Sequence, residues 1–380
     1  MFDVFLTGSV AFIITFLAIP VVLQIAEQKK LFDVPDERKI HVRPVASLGG
    51  VGIFGGFLLA SLLSISEYSN PEFQYFFAAA LVIFFLGLKD DLIVLSAFKK
   101  IIGQIIAASI LIHLGGIKLT SMHGLFGIHE VPEAFGLAIS YLTIIVVINS
   151  FNLIDGVDGL AGTLGLLTTA IFGAYFFAAE QISYSLLAFS MCGSLLAFLI
   201  FNHHPAKIFM GDSGSLMIGL VNSILVIKFI NIADAPGAIL PVASPVAMAF
   251  AILMVPLFDT LRVFAIRIVN GRSPFTPDRN HIHHLMLNKG LNHNSVTYSC
   301  LVINIFFVIL AYYGKAWGSN YLLMTMLAVS FTGIGFLYYR RTRTTRLVVA
   351  KHLNENVSVD YKTTTKVVAL AKEAIVAEQN

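Results

Sequence analysis

The sequence predicts an all-α integral membrane protein. It reads as about eleven transmembrane helices, with the N-terminus outside and the C-terminus in the cytoplasm. Three observations carry this. The 380 residues are 57% hydrophobic and only 12% charged, about half the roughly 25% charge of a soluble domain. The apolar residues fall in runs close to the roughly 20 needed to cross a bilayer. Finally, the basic residues are sharply segregated between alternate connections, the sign of a fixed orientation.

The candidate spans lie at 4–24, 47–66, 73–89, 100–115, 135–151, 159–179, 184–201, 214–232, 242–269, 294–313 and 320–339. The first does not read as a signal peptide. Asp3 precedes it, and the first lysines, Lys29 and Lys30, follow it. With the connection 25–46 in the cytoplasm and the rest alternating, all ten arginines and twelve of the fifteen lysines reach the cytoplasmic side. Lys118 and Lys315 fall outside, and Lys228 lies within span eight. The longest outer connection, 116–134, has room for a small hairpin. Residues 1–340 form one multi-span domain. The segment 341–380 is a cytoplasmic tail, and the run "RRTRTTR" from Arg340 suits anionic headgroups. Cys192 and Cys300 each sit inside a span and read as buried free thiols, with no disulfide or zinc pattern. Positive-inside sorting explains the net charge of +3, so no nucleic-acid partner is expected.

Five polar clusters gather on the cytoplasmic side. "DVPDERKIHVRPVASLGG", 33–50, brings Lys39 among other basic residues; it reads either as a positive-inside loop or as a loop that binds an anion. "GLKDDLIVLSAFKK", 87–100, sets Asp90 beside Asp91 at the mouth of span three. Acids at membrane depth are costly unless paired or employed, and Lys100 is placed to neutralise them or to hold a phosphate. "NSFNLIDGVDGL", 149–160, spaces Asn149, Asn152, Asp155 and Asp158 three apart. Gly156 and Gly159 argue that the helix stops there. Asp158 alone reads as a cap for span six, but capping does not account for four oxygen-bearing side chains, which suit a hard cation. "NHHPAKIFMGDSGSL", 202–216, sets Asp212 between glycines, either as a plain N-cap or as part of a site. Phe209 beside it reads as interfacial packing or as a ring that stacks on a base. "SPFTPDRNHIHHLMLNKG", 273–290, gathers Arg279, His281, His283 and His284. The spacing is not that of a zinc protease; such histidines bind metal, donate to phosphates or move protons.

Acids for a divalent cation, basic residues for phosphates and no evident serine or cysteine nucleophile fit phosphoryl transfer, where positioning and charge neutralisation carry most of the catalysis. In "DD" at 90–91, "NSFNLIDGVDGL", "FMGDSGS" at 209–215 and "HIHH" at 281–284, in that order, the chain resembles the polyprenyl-phosphate N-acetylhexosamine-1-phosphate transferases over residues 1 to about 340. The resemblance implies ten or eleven spans, an active site on the cytoplasmic face and a multi-pass protein of the bacterial cytoplasmic (inner) membrane. It implies transfer of a sugar 1-phosphate from a UDP-N-acetylhexosamine to undecaprenyl phosphate, releasing UMP, with Mg²⁺, or Mn²⁺ as a substitute. It assigns Asn152 and Asp212 to the metal. Asp90 and Asp91 go to the acceptor phosphate, where one acts as base. Lys39 and Lys100 contact phosphates. Phe209 and Asp158 lie at the uracil, with Asn149 on the substrate side and Asp155 a catalytic acid near the ribose or sugar. Arg279 and the catalytic histidines His281, His283 and His284 sit on the loop that closes over the donor. Span nine, with Pro245 and Pro256, matches the family's broken helix beside a lipid groove, and proline kinks fit that. "DRNHIHH" resembles the branch that loads N-acetylglucosamine 1-phosphate rather than the muramoyl-pentapeptide branch. Membrane lipid is an expected partner, and a homodimer is one assembly the sequence admits. The rival classes are a secondary transporter, which places polar sites near the midplane, and a lipid-binding scaffold, which leaves Asp90 and Asp91 without a purpose.

Overall fold

The computed structural model describes residues 2–33, 45–65, 70–274 and 280–339. In chain order its helices are α1 (Phe2–Lys29), α2 (Gly49–Ser64), α3 (Phe73–Leu92) and α4 (Ala97–Ser109), which widens into a π-turn at Ile110–Leu114. There follow α5 (Glu133–Ile154), α6 (Leu160–Ala178), α7 (Ile182–Asn202), α8 (Gly211–Ala233), α9 (Pro245–Ile252) and α10 (Met254–Val269). The last are α11 (Ile282–Leu287), α12 (His293–Gly314) and α13 (Ser319–Tyr339). Two strand pairs complete the described chain. β1 (Phe32–Asp33) pairs antiparallel with β2 (Val45–Ala46), and β3 (Ser121–Leu125) with β4 (Ile128–Glu130). The second pair is the small hairpin expected between spans four and five.

Every expected span is helical, but the count changes. Among the described residues eight helices are long and apolar enough to cross a membrane, and nine if the bent pair α9–α10 is one span. The segment 47–66 yields only the 16-residue α2, which begins at Gly49 with two residues between it and the end of β2. The chain divides into residues 1–334 and 335–380, and only the end of α13 is described in the second part.

Helix α8 is the centre of the first unit. Most of its side chains are buried, as expected of a helix that is apolar all round. Its neighbours come close because small residues face one another. A Cβ on Gly50 of α2 would stand 2.2 Å from the Gly214 nitrogen, and one on Gly219 would stand 2.5 Å from Cα of Ile148 in α5. Both thiols are free and buried, as their positions in spans predicted.

The expected span 242–269 is broken, as the resemblance implied, into two helices that meet at 88°. Pro245 opens α9 and Pro256 lies in the first turn of α10, where a missing N–H costs no helical bond. The break exposes backbone groups that hydrocarbon cannot satisfy. Asn304 of α12 supplies both partners. Its amide nitrogen donates to the Ile252 carbonyl at 2.9 Å, and its oxygen accepts from the Val255 N–H at 3.0 Å. Beside the bend an apolar cleft of about 510 Å³ runs between α5, α8, α9 and α10, walled by Ile139, Val146, Val226, Phe250, Leu257 and Leu261.

Asn304→Ala should lower the melting temperature in detergent, because each orphaned buried group costs about 1–3 kcal/mol. A melting temperature equal to wild type would show that the bend does not depend on Asn304.

Candidate active site

The site is built on the entry to α8. Residues 46–50 and 208–210 lie side by side. Phe209 N–H donates to the Ala46 carbonyl at 2.8 Å, and the N–H groups of Gly49 and Gly50 donate to the carbonyls of Phe209 and Met210 at 2.9 and 2.8 Å. The chain then turns through Gly211 at φ 73°, a left-handed conformation that suits glycine. A Cβ there would also strike the Asp91 carboxylate at 2.7 Å. Phe209 is thus held by its backbone, with its ring half-buried.

Asp90 and Asp91, adjacent in sequence, part ways at the end of α3. The Asp91 carboxylate accepts from the Asp212 N–H at 2.6 Å, the Ser213 N–H at 3.1 Å and the Ser213 hydroxyl at 2.6 Å. It satisfies the free N–H groups at the start of α8 and sits at the positive end of that helix. Asp212 itself is therefore not the cap of α8. Its carboxylate meets the Lys100 ammonium at 2.7 Å and the Asn152 amide at 2.9 Å. Lys100 also holds Asp90 at 2.5 Å, and Asp90 accepts from the Leu95 N–H at 2.6 Å. Lys100 thus bridges Asp90 and Asp212 rather than the adjacent pair. Asn152 further donates to the Ser215 hydroxyl at 3.1 Å.

The rest of the 149–160 stretch divides into separate tasks. Helix α5 runs to Ile154, so Asn149 and Asn152 are both helical. Asn149 pairs with the buried Gln104 at 2.8 Å, beside the Lys100 network rather than in it. Asp155 follows the helix. Burial first, then the charges of Asp212, Asp91 and Asp158, push its carboxyl up to about 8. Asp158 does not cap α6, whose N-cap is Gly159, with no side-chain hydrogen bond. It lies 2.6 Å from His204 Nδ1 and accepts from the Ala206 N–H at 3.3 Å. Burial opposes its charge, yet hydrogen bonds from His293 and His204 hold its carboxyl below the ordinary range.

The histidine motif is a short helix rather than a loop. His281 precedes α11, and His283 and His284 lie in it. His281 Nδ1 meets the buried Asp259 carboxylate at 2.9 Å, which also accepts from Arg262 at 2.8 Å and from the Ile282 N–H at 3.0 Å. The rings of His281 and His283 stack at 5.7 Å and those of His283 and His284 tilt together at 4.3 Å. His283 packs on Gly156, where a Cβ would stand 2.4 Å from its Nε2. Burial pushes the His283 imidazole down to about 3, so it is neutral. Lys39 and Arg279 lie outside the described residues.

Sequence reasoning missed Asp259, His204 and His293. Asp259 carried a signal of its own: an acid in a predicted span, three residues before Arg262, is costly unless paired. The two histidines carried none, because their meeting depends on three distant segments.

A family model described as glycosyl transferase family 4 matches residues 73–230. A probable undecaprenyl-phosphate N-acetylglucosaminyl 1-phosphate transferase of Bacillus subtilis is 32% identical over 311 residues, 80% of this chain and 83% of the relative. A decaprenyl-phosphate N-acetylglucosaminephosphotransferase of Mycobacterium leprae is 32% identical over 313 residues, 77% of this chain and 78% of the relative. An undecaprenyl-phosphate alpha-N-acetylglucosaminyl 1-phosphate transferase of Escherichia coli (strain K12) is 31% identical over 272 residues, 70% and 72%.

Two stability measurements test the electrostatics. Asp91→Asn should destabilise the protein by about 1–3 kcal/mol, since an amide nitrogen in place of one carboxylate oxygen cannot accept from the donors at the start of α8. Asp90→Asn should cost less, because Lys100 keeps Asp212. Equal melting temperatures for the two variants would contradict the division of roles. For Asp155, the folded protein holds the proton up to about pH 8, whereas the ordinary value is 3.8. The native state binds the extra proton between these values, so stability falls as pH rises through that window. Asp155→Asn removes the dependence. Its gain in melting temperature over wild type should be larger at pH 8 than at pH 5, and a gain independent of pH would refute the shift.

Proposed function

The chain belongs to glycosyl transferase family 4, and from that premise we propose that it transfers N-acetylglucosamine 1-phosphate from UDP-N-acetylglucosamine to undecaprenyl phosphate. The products are undecaprenyl-diphospho-N-acetylglucosamine and UMP. The observation that carries the reading is the meeting of Asp90, Lys100, Asn152 and Asp212, from four helices, at the entry to α8. The names of the curated relatives support the same acceptor and sugar.

The reaction joins an oxygen of the lipid phosphate to the sugar-linked phosphorus of the donor, and the bond from that phosphorus to UMP breaks. Both substrates are anionic, so the site must gather positive charge without adding acid to the phosphates. Lys100 does this within the chain. Its ammonium lies between two carboxylates and can turn to a phosphate oxygen as substrate enters. Asp90 stands beside it to receive a proton or to position the acceptor phosphate. Asp155, kept protonated by its surroundings up to about pH 8, can donate to a sugar or ribose hydroxyl or to a phosphate oxygen. Asp259 fixes His281 through Nδ1, which leaves Nε2 for substrate.

Asn152 and Asp212 would hold Mg²⁺, with Mn²⁺ as a substitute. The residues fit such an ion. They offer one carboxylate and, once the amide that now donates its N–H to Asp212 turns over, an amide oxygen, hard donors of the kind Mg²⁺ prefers, in a place that already accommodates the Lys100 cation. When bound, the ion would neutralise charge on the donor pyrophosphate. The apolar cleft between α5 and α10 suits the polyprenyl chain. The distribution of lysine and arginine supports an N-out, C-in orientation in the bacterial inner membrane, with the site facing the cytoplasm.

The decisive assay offers purified protein a panel of UDP-sugars with undecaprenyl phosphate and reads product mass and UMP. UDP-N-acetylglucosamine should turn over fastest. Faster turnover of UDP-muramoyl-pentapeptide would move the chain to the other branch, and no UMP from any donor would end the transferase reading. In the same assay Asp212→Asn and Asn152→Ala should lose about 10²-fold or more in rate and need more Mg²⁺ for half-maximal rate. An unchanged Mg²⁺ dependence in both would remove them from the metal.

A further inference from the structure

Asp158, His204 and His293 form a second cluster, apart from the Lys100 network. They come from the α5–α6 connection, the α7–α8 connection and the first turn of α12. Asp158 Oδ2 lies 2.6 Å from His204 Nδ1, and Asp158 Oδ1 lies 3.4 Å from His293 Nδ1. The two imidazole rings are 4.6 Å apart between centroids. One atom from each side chain can be chosen so that all three lie within 4.8 Å of one another. Zinc is held by ligands at about 2.0–2.2 Å, so a cation among these atoms requires only small side-chain movements.

The contacts of His293 leave room for a ligand. Its Nδ1 lies 3.3 Å from the Asp158 backbone nitrogen and 3.4 Å from a carboxylate oxygen of the same residue, both long contacts. A cation that takes the Nδ1 lone pair replaces the first and turns the second into shared coordination. Access is open, since the His204 side chain is 41% exposed, while the carboxylate side of the cluster is only 10% exposed.

We propose that Asp158, His204 and His293 form a binding site for a nitrogen-preferring divalent metal of the zinc class, distinct from the oxygen-only pair Asn152 and Asp212. Donor chemistry separates the two. Imidazole nitrogens favour zinc and its neighbours, whereas carboxylate and amide oxygens favour Mg²⁺. The fourth position is open to water, as in zinc sites with three protein ligands. Binding displaces any proton shared between the imidazoles and the carboxylate, so it weakens as pH falls. An occupied site ties together two connections, which carry Asp155 and Phe209, and the start of α12. The inference rests on these three side chains; in the transferase reading Asp158 also faces the uracil, so zinc and the donor nucleotide compete for it.

The test uses the full chain, freed of any affinity tag, in detergent with Mg²⁺ present throughout. Zinc chloride is titrated by calorimetry, and the melting temperature is followed in parallel. Wild type should bind one zinc ion per chain and melt at a higher temperature when loaded. His204→Ala and His293→Ala should each weaken binding by about 10-fold or more and lose the thermal gain, whereas His284→Ala should keep both. X-ray absorption should report nitrogen and oxygen neighbours and no sulfur. His204 is exposed, so its variant folds independently of the question, and a single symmetric gel-filtration peak checks this. Zinc binding unchanged in both variants, loss only in His284→Ala, or no zinc taken up by wild type would each overturn the proposal.

Discussion

The grip of Asp91 on the first turn of α8 is the constraint from which the rest of the site follows. Helix α8 is the most enclosed of the eight long apolar helices among the described residues, and its first turn lies in the polar site. Its leading N–H groups have no partner within the helix. Water cannot serve them all in so crowded a place. One carboxylate on α3 takes three donors, and this fixes where Asp212 points. Gly87 permits the approach, since a Cβ there would stand 2.5 Å from Cα of Ser213. The adjacent Asp90 is then left on the open side of α3, where Lys100 can reach it.

Charge balance in the site is tight. Lys100 serves two carboxylates, the α8 N-terminus serves a third, and the two imidazoles near Asp158 serve a fourth. Asp155 has none of these and stays protonated near neutrality. Neighbouring acids thus differ in partner, although the sequence writes them all as aspartate. An anionic ligand entering this balance competes for Lys100 and leaves Asp90 or Asp212 in need of a new counter-charge. That need is the physical reason for expecting a divalent cation to arrive with it.

Much of this was legible in the chain. The long apolar runs gave the helices, and the polar motifs gave the residues that meet at the α8 entry. The glycines at 156 and 159 gave the end of α5 and the late start of α6. What the sequence hid are choices among partners. "DD" does not say that one acid turns to a helix end and the other to a lysine. A lone asparagine in span ten, Asn304, does not announce that it completes the backbone of another helix. Two prolines in one apolar run suggest a bend, but not a right-angled one that falls between them. Each of these depends on a contact between segments far apart in sequence, and local pattern carries no trace of it. His204 and His293 were missed for the same reason.

The bend at Leu253 has one more consequence. By turning α10 away from α9, it opens a cleft whose walls are almost wholly apolar and whose rim bears the exposed side chains of Leu142 and Leu261. A molecule that fills such a cleft arrives from the hydrocarbon phase, not from water. Its relevant concentration is then a mole fraction in lipid or detergent. Adding more detergent at fixed total ligand dilutes that ligand and weakens its apparent affinity, although nothing in the protein has changed. Affinities measured in micelles, nanodiscs and native membranes become comparable only after they are expressed per unit of apolar phase.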